Sequence, residues 1–191
     1  TGDFVSIETE EDFGFGTARF CAEAWIYPTS TTGTSTIFDF RTGSDTDVAP
    51  RLYQNGGTLK YGSGTTEHIS GGSLSLNTWH HVAVARHNAT NSSTLTTRLF
   101  LDGALVGSYT DANNYGKTKP LNIGSSYGTV GGDFFTGKID EVRVSTGLSA
   151  RYTSAFTPPT SEYGTDTDTV LLVHFNGTDQ STAFTDTPSP K

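Results

Sequence analysis

The chain alternates apolar and polar residues in short runs separated by turn formers. In FCAEAWIYP (20–28), Phe20, Ala22, Ala24 and Ile26 fall on one side, and Cys21, Glu23, Trp25 and Tyr27 on the other. A two-residue period predicts a strand, because successive side chains of an extended backbone point to opposite faces. The same rhythm recurs in DFVSIE (3–8), STIFDFRT (35–42), RLYQNGGTLKYGS (51–63), TWHHVAVAR (78–86), TTRLFLDGALVGSY (96–109), PLNIGSS (120–126), FFTGKIDEVRVST (134–146) and TVLLVHFNG (169–177). Asn55-Gly56-Gly57 and Asp102-Gly103 sit between alternating runs and predict tight hairpin turns. The second should pair 99–101 with 104–106 antiparallel. No stretch keeps a 3.6-residue period, and LSARYTSAF (148–156) has room for one helical turn at most. Segments 28–36, 41–50 and 87–97 are polar and predict solvated loops, as does the acidic run ETEEDF (8–13). Pro158-Pro159 makes 157–169 an extended crossing segment. Many short strands with regular turns predict an all-β sandwich or barrel. The reading is one domain over 1–185 and a linker-like tail over 186–191.

Composition narrows the function. The chain has 191 residues, enough for a core without staples. Its formal net charge is −8, which disfavours a phosphate backbone as partner and argues against nucleic acid and anionic membranes. No apolar run is long enough for a membrane span. The single cysteine, Cys21, lies in a strand pattern and reads as a half-buried hydrophobe rather than a reactive thiol. The chain lacks methionine and begins at Thr1, which reads as part of something longer.

The adjacent His80 and His81 invite a metal or acid–base reading. On a strand they point to opposite faces, so they cannot chelate one ion together. Trp79, His81, Ala83 and Ala85 should share one face, and His80, Val82, Val84 and Arg86 the other. Structural roles, with ring nitrogens hydrogen-bonded inside the protein, are expected. No nucleophile elbow for a serine hydrolase is present.

FCAEAWIYP, NTWHHVAVAR, RLFLDGALVGS, LNIGSS and FTGKIDEVRVS occur in this order and together resemble laminin-G-like domains of the concanavalin A-like lectin/glucanase superfamily. The resemblance spans about residues 3 to 175. The later LSARYTSAFTPPT and DTDTVLLVHFNGTDQSTAFTD are similar to the version found in tail-fibre and virion structural proteins of tailed bacteriophages. Asn176 departs from that pattern, where Asp is usual. The resemblance implies an antiparallel jelly-roll sandwich of two curved sheets within a longer virion or extracellular protein. Glycosidases of the superfamily carry Glu-x-Asp-x-x-Glu on one strand, and no segment here does. Asp140 and Glu141 are adjacent and point apart, so they form no dyad.

The resemblance also implies a structural Ca2+ held by Asp140, with Asp3 as partner; otherwise Asp140 caps a strand or pairs with Arg143 or Arg19. A rim calcium site would draw on Asp45, Asp47 or Asp133. Sugar binding needs aromatic platforms beside amide or carboxylate hydrogen bonders. The candidates are Glu23 with Trp25, then Tyr53 and Tyr61, the loop residues Asn113, Asn114 and Tyr115, and Tyr127. The expectation is a non-enzymatic, lectin-like module for a host-surface or extracellular glycan. The rival is an interaction or spacer module in a fibre, docking to neighbouring domains or to copies of itself; a glycan hydrolase or lyase is disfavoured.

Overall fold

A computed structural model describes residues 2–43, 46–88, 94–116, 118–127, 132–147 and 151–176. The strands are β1 (Val5–Glu10), β2 (Phe20–Pro28), β3 (Thr34–Asp39), β4 (Pro50–Asn55), β5 (Thr58–Ser63), β6 (Thr66–Ser73), β7 (His80–Asn88), β8 (Leu95–Leu101), β9 (Ala104–Thr110), β10 (Lys119–Ile123), β11 (Gly137–Thr146) and β12 (Thr169–Val173). They form two six-stranded sheets, sheet A in the order β1-β10-β3-β4-β5-β6 and sheet B in the order β12-β11-β2-β7-β8-β9. Every pairing among them is antiparallel. The fold is therefore an all-β two-sheet sandwich, one of the two architectures the alternation allows and the one the resemblance implies.

The turns follow the chemistry of their residues. Asp102 and Gly103 both have positive φ, 52° and 78°, and join Leu101 to Ala104 as the expected hairpin. Gly56 and Gly57 do the same at 59° and 81°, closing Asn55 on Thr58. Asp102 also ties the turn down, its Oδ1 accepting the His81 N–H at 2.9 Å. Strand β6 was not visible in the pattern. Its side chains run TEHISGGS, with Ile69 the one buried apolar residue, so no alternation marks it. The run 8–13 is not wholly a solvated loop. β1 extends to Glu10 and a single 3-10 turn (Glu11–Phe13) drops Phe13 into the core.

The main core lies between the sheets. Ala22, Ala24 and Ile26 of β2 and Val82 and Val84 of β7 meet Ile37, Phe38, Leu52, Leu59 and Tyr61 of sheet A. Sheet B carries a second, smaller core on its other side. There Cys21, Ala83, Ala85 and Phe100 pack under Tyr152 and Phe156. These two rings stack at 3.6 Å between centroids, 9° from parallel. Residues 151–163 thus form a strap across the outer face of sheet B. The helical turn allowed for 148–156 is absent over 151–156, and 148–150 lie outside the described residues. Cys21 is fully buried rather than half-buried; burial, then the Glu23 charge, pushes its thiol well up.

The strap is clamped at the Asp102-Gly103 turn, where Phe156 N–H donates to Gly103 O at 3.0 Å. A Cβ on Gly103 would stand 2.0 Å from Phe156 O. Gly103→Ala should therefore destabilise the domain by more than about 1 kcal/mol and open the strap to trypsin at Arg151. Limited proteolysis checks this; an unchanged cleavage rate would show that the strap is not held there.

Candidate functional site

Three expected ligand residues lie in the interior. Glu23 is wholly buried under the strap. Its Oε1 accepts Arg143 Nε at 2.8 Å, and its Oε2 accepts Tyr152 OH at 2.6 Å and His81 Nε2 at 3.1 Å. Burial alone would raise this carboxyl. The His81 hydrogen bond, the Arg143 charge and the Tyr152 hydroxyl outweigh it and hold Glu23 below the ordinary glutamate value. Tyr61 and Tyr115 are fully buried between the sheets. The Tyr115 hydroxyl donates to Asp111 Oδ2 at 2.7 Å and receives Tyr61 OH at 3.0 Å and Tyr109 OH at 2.9 Å. Arg86 lies 4.7 Å over the Tyr115 ring and holds the carbonyls of Asn113 and Gly16. The 111–116 loop is thus a closure of the core. Asn113 spends its amide on Tyr109 OH, and Asn114 Oδ1 accepts Gly116 N–H.

The histidines are framework, as expected. His80 Nε2 accepts the Ser75 N–H at 3.0 Å, leaving Nδ1–H to donate to Asp102 Oδ2 at 2.8 Å. His81 points the other way, to Glu23.

The open chemistry lies on the outer face of sheet A. A cleft of about 250 Å³ is lined by Arg41, Arg51, Tyr53, Gly62, Gly64, Thr65 and Thr66. Arg51 and Tyr53 alternate along β4 with the inward-facing Leu52 and Gln54, so period-2 geometry puts them side by side on the surface. The Arg51 guanidinium lies 4.4 Å over the Tyr53 ring. Its Nη2 donates to Thr36 Oγ1 at 3.1 Å and to Asp133 Oδ2 at 2.7 Å. Arg51 Nε has no hydrogen-bond partner. Arg41 is held by Asp39 at 2.7 Å and lies 4.4 Å over the Tyr127 ring. Lys60 and Tyr53 OH both reach Glu67 Oε2, at 2.6 and 3.3 Å. Of the expected residues, Tyr53 therefore lines the cleft, and Tyr127 packs on the buried Arg41. Arg41, Arg51 and Thr66 were not foreseen; the one sequence signal was Arg51-x-Tyr53 on the polar side of a strand. Trp25 is half-buried on the opposite sheet.

Of the residues expected to hold calcium, Asp3 is exposed just before β1 and Asp140 lies on β11. Asp140 Oδ1 accepts the Glu141 N–H at 2.8 Å, Asp47 is engaged by Lys119 and Thr42, and Asp133 by Arg51. Asp45 lies outside the described residues. Among the described residues no three of His, Cys, Asp and Glu are grouped to hold a metal.

A family profile described as Concanavalin A-like lectin/glucanases superfamily, of laminin-G type, matches residues 1–151. The chain belongs to the concanavalin A-like lectin/glucanase superfamily. The match ends at residue 151, where the strap of this superfamily member begins. Comparison with curated proteins finds no match. Among solved structures, a putative carbohydrate binding protein from Bacteroides ovatus is similar with a TM-score of 0.66 and 20% identity, over 97% of this chain and 54% of that one. This chain therefore spans about half of that protein. The CBM40 of the Ruminococcus gnavus IT-sialidase, solved with α2,3-sialyllactose, is similar with a TM-score of 0.54 and 12% identity, over 71% of this chain and 78% of that one.

The buried Glu23 cluster makes a testable demand on this lectin-type sandwich. Glu23→Ala strands Arg143 and His81 and should cost about 3–5 kcal/mol in urea unfolding. The folded pKa of Glu23 is depressed, so its stabilisation is full above the unfolded value, about 4.3, and is lost as pH falls below it. Glu23→Gln should flatten that acid limb of the stability curve; an unchanged limb would contradict the assignment.

Proposed function

We propose that the domain is a non-catalytic glycan-binding module and that the sheet A cleft is its binding site. The cleft carries the reading: it sets an aromatic ring, a guanidinium and threonine hydroxyls around a volume suited to one or two sugar rings. The superfamily and the two similar structures, named as carbohydrate binders, support it. A binding rather than hydrolytic role is supported by the nearby carboxylates, since Asp39, Asp133 and Glu67 are each engaged by Arg41, Arg51 and Lys60. A hydrolase needs one such carboxyl directed at substrate. The proposal extends to the parent chain: a virion fibre or another extracellular protein that presents this module to a surface glycan.

Binding to a broad polysaccharide panel tests this reading. Saturable binding to at least one member is expected, weakened about 10- to 100-fold in Arg51→Ala, the worth of a charge-assisted hydrogen bond. The variant should keep its strand circular dichroism. Binding that survives Arg51→Ala and Tyr53→Ala unchanged would remove the cleft from consideration. The same affinity is expected in calcium and in EDTA, because the cleft is built from side-chain ion pairs. Loss in EDTA would instead implicate rim carboxylates, Asp45 among them.

A further inference from the structure

The chain has two tryptophans: the half-buried Trp25 on β2 of sheet B and the exposed Trp79 just before β7. Cross-strand register sets Asp140 beside Trp25, and Trp25 beside His81. The neighbouring row on the same face sets Lys138 beside Tyr27. Trp79, one residue before β7, packs on Tyr27 with ring centroids 5.5 Å apart and planes at 58°. The two rings therefore form an open V. Lys138 Nζ stands 5.6 Å from the Tyr27 centroid. Trp79 is 41% exposed, among the most exposed large apolar side chains described.

Size and chemistry select the occupant. An aromatic side chain offers about 150–250 Å² in all, so the open part of this strip is on the order of 200 Å². A stable protein interface needs about 800 Å² per partner. A pyranose ring, with one apolar C–H face and hydroxyls around its edge, matches both the area and the flanking polar groups. Asp140 at the edge of the strip, in a chain of net charge −8, works against an acidic sugar. We propose that Trp25, Tyr27 and Trp79 form a second saccharide subsite, on the sheet opposite the cleft, which takes the apolar face of a neutral pyranose while Asp140 and Lys138 hydrogen-bond its hydroxyls. The module is then two-sided, able to hold two glycan strands or two parts of one. This subsite stands on its own observations and does not require the cleft.

Because the only tryptophans are here, intrinsic emission reports this surface directly. The test titrates the domain with cellohexaose, mannohexaose, a β-1,4-galactan oligosaccharide and an oligogalacturonate, following emission, and repeats the titrations by calorimetry on Arg51→Ala, Trp79→Ala and Tyr27→Ala. A saturable emission change with a neutral oligosaccharide is expected, retained in Arg51→Ala and weakened at least tenfold in both aromatic variants. Trp79 is a surface residue, so Trp79→Ala should keep the wild-type melting temperature. No emission response to any neutral oligosaccharide, a response to oligogalacturonate alone, or a response lost in Arg51→Ala but kept in Trp79→Ala would overturn the subsite. Failure of the cleft alone would look different: wild-type calorimetry would show one class of site, unaffected by Arg51→Ala, with the emission response intact.

Discussion

Along most of β2 and β7, sheet B is buried on both faces, and the charge of Glu23 lies on the outer one. A carboxylate taken out of water at this depth is tolerated only when its oxygens are met inside the protein. Arg143, His81 and Tyr152 meet them, one from the neighbouring β11, one from β7 and one from the strap. The cluster therefore joins three separate parts of the chain. It fixes the strap laterally, while the Gly103 carbonyl fixes its far limb through Phe156. Tyr163 completes the cover, with Arg143 lying 4.4 Å over its ring and its N–H bonded to Glu141.

This covering decides where binding can occur. A bare sheet B would present Glu23, His81, Arg143 and Trp25 in adjacent rows, a set with the polar and aromatic chemistry that sugars need. The strap converts much of that surface into core and leaves Trp25, Tyr27 and Trp79 partly exposed. The outer face of sheet A has no such cover at β4 and β5. Its polar groups are arranged differently, as two ion pairs that stay accessible, Arg51–Asp133 and Lys60–Glu67, and a third, Arg41–Asp39, that is buried. Arg41–Asp39, Arg51–Asp133 and Lys60–Glu67 balance one another, so the surface holds its side chains in place without a large net field. Rigid, charge-compensated hydrogen-bonding groups beside an aromatic ring are what an uncharged, hydroxyl-rich ligand can use at little ordering cost.

The sequence carried the strands, the two hairpin turns and the opposed directions of His80 and His81, because these depend on local period and on residues that accept positive φ. Through Pro158-Pro159 it also carried the later part of the strap, from 157 on, as an extended crossing segment, but not the 151–156 part, where a helical turn was allowed. What it did not carry were facts about which faces are wet. Glu23 and Trp25 were correctly placed on one side of β2, yet a segment more than a hundred residues later buries the first and spares the second. Tyr115 sits in a polar loop and reads as a surface ring, but Arg86, on another strand, draws it inward. Strand β6 has almost no apolar alternation, and pairing with β5 alone defines it. The cleft escaped for a related reason: Arg41 follows β3, Arg51 lies on β4 and Thr66 on β6, and only the folded sheet brings them together.

Chemical-shift mapping on the 15N-labelled domain, titrated with whichever glycan it binds, tests the account most directly. The account predicts perturbed amides along β4 and the 62–66 turn, and at the Trp79 end of sheet B, with the amides of Glu23, Ala83 and Arg143 beneath the strap unmoved. Perturbations centred on Glu23, His81 and Arg143 would contradict it, since the ligand would then be displacing the strap from the face it is held to cover.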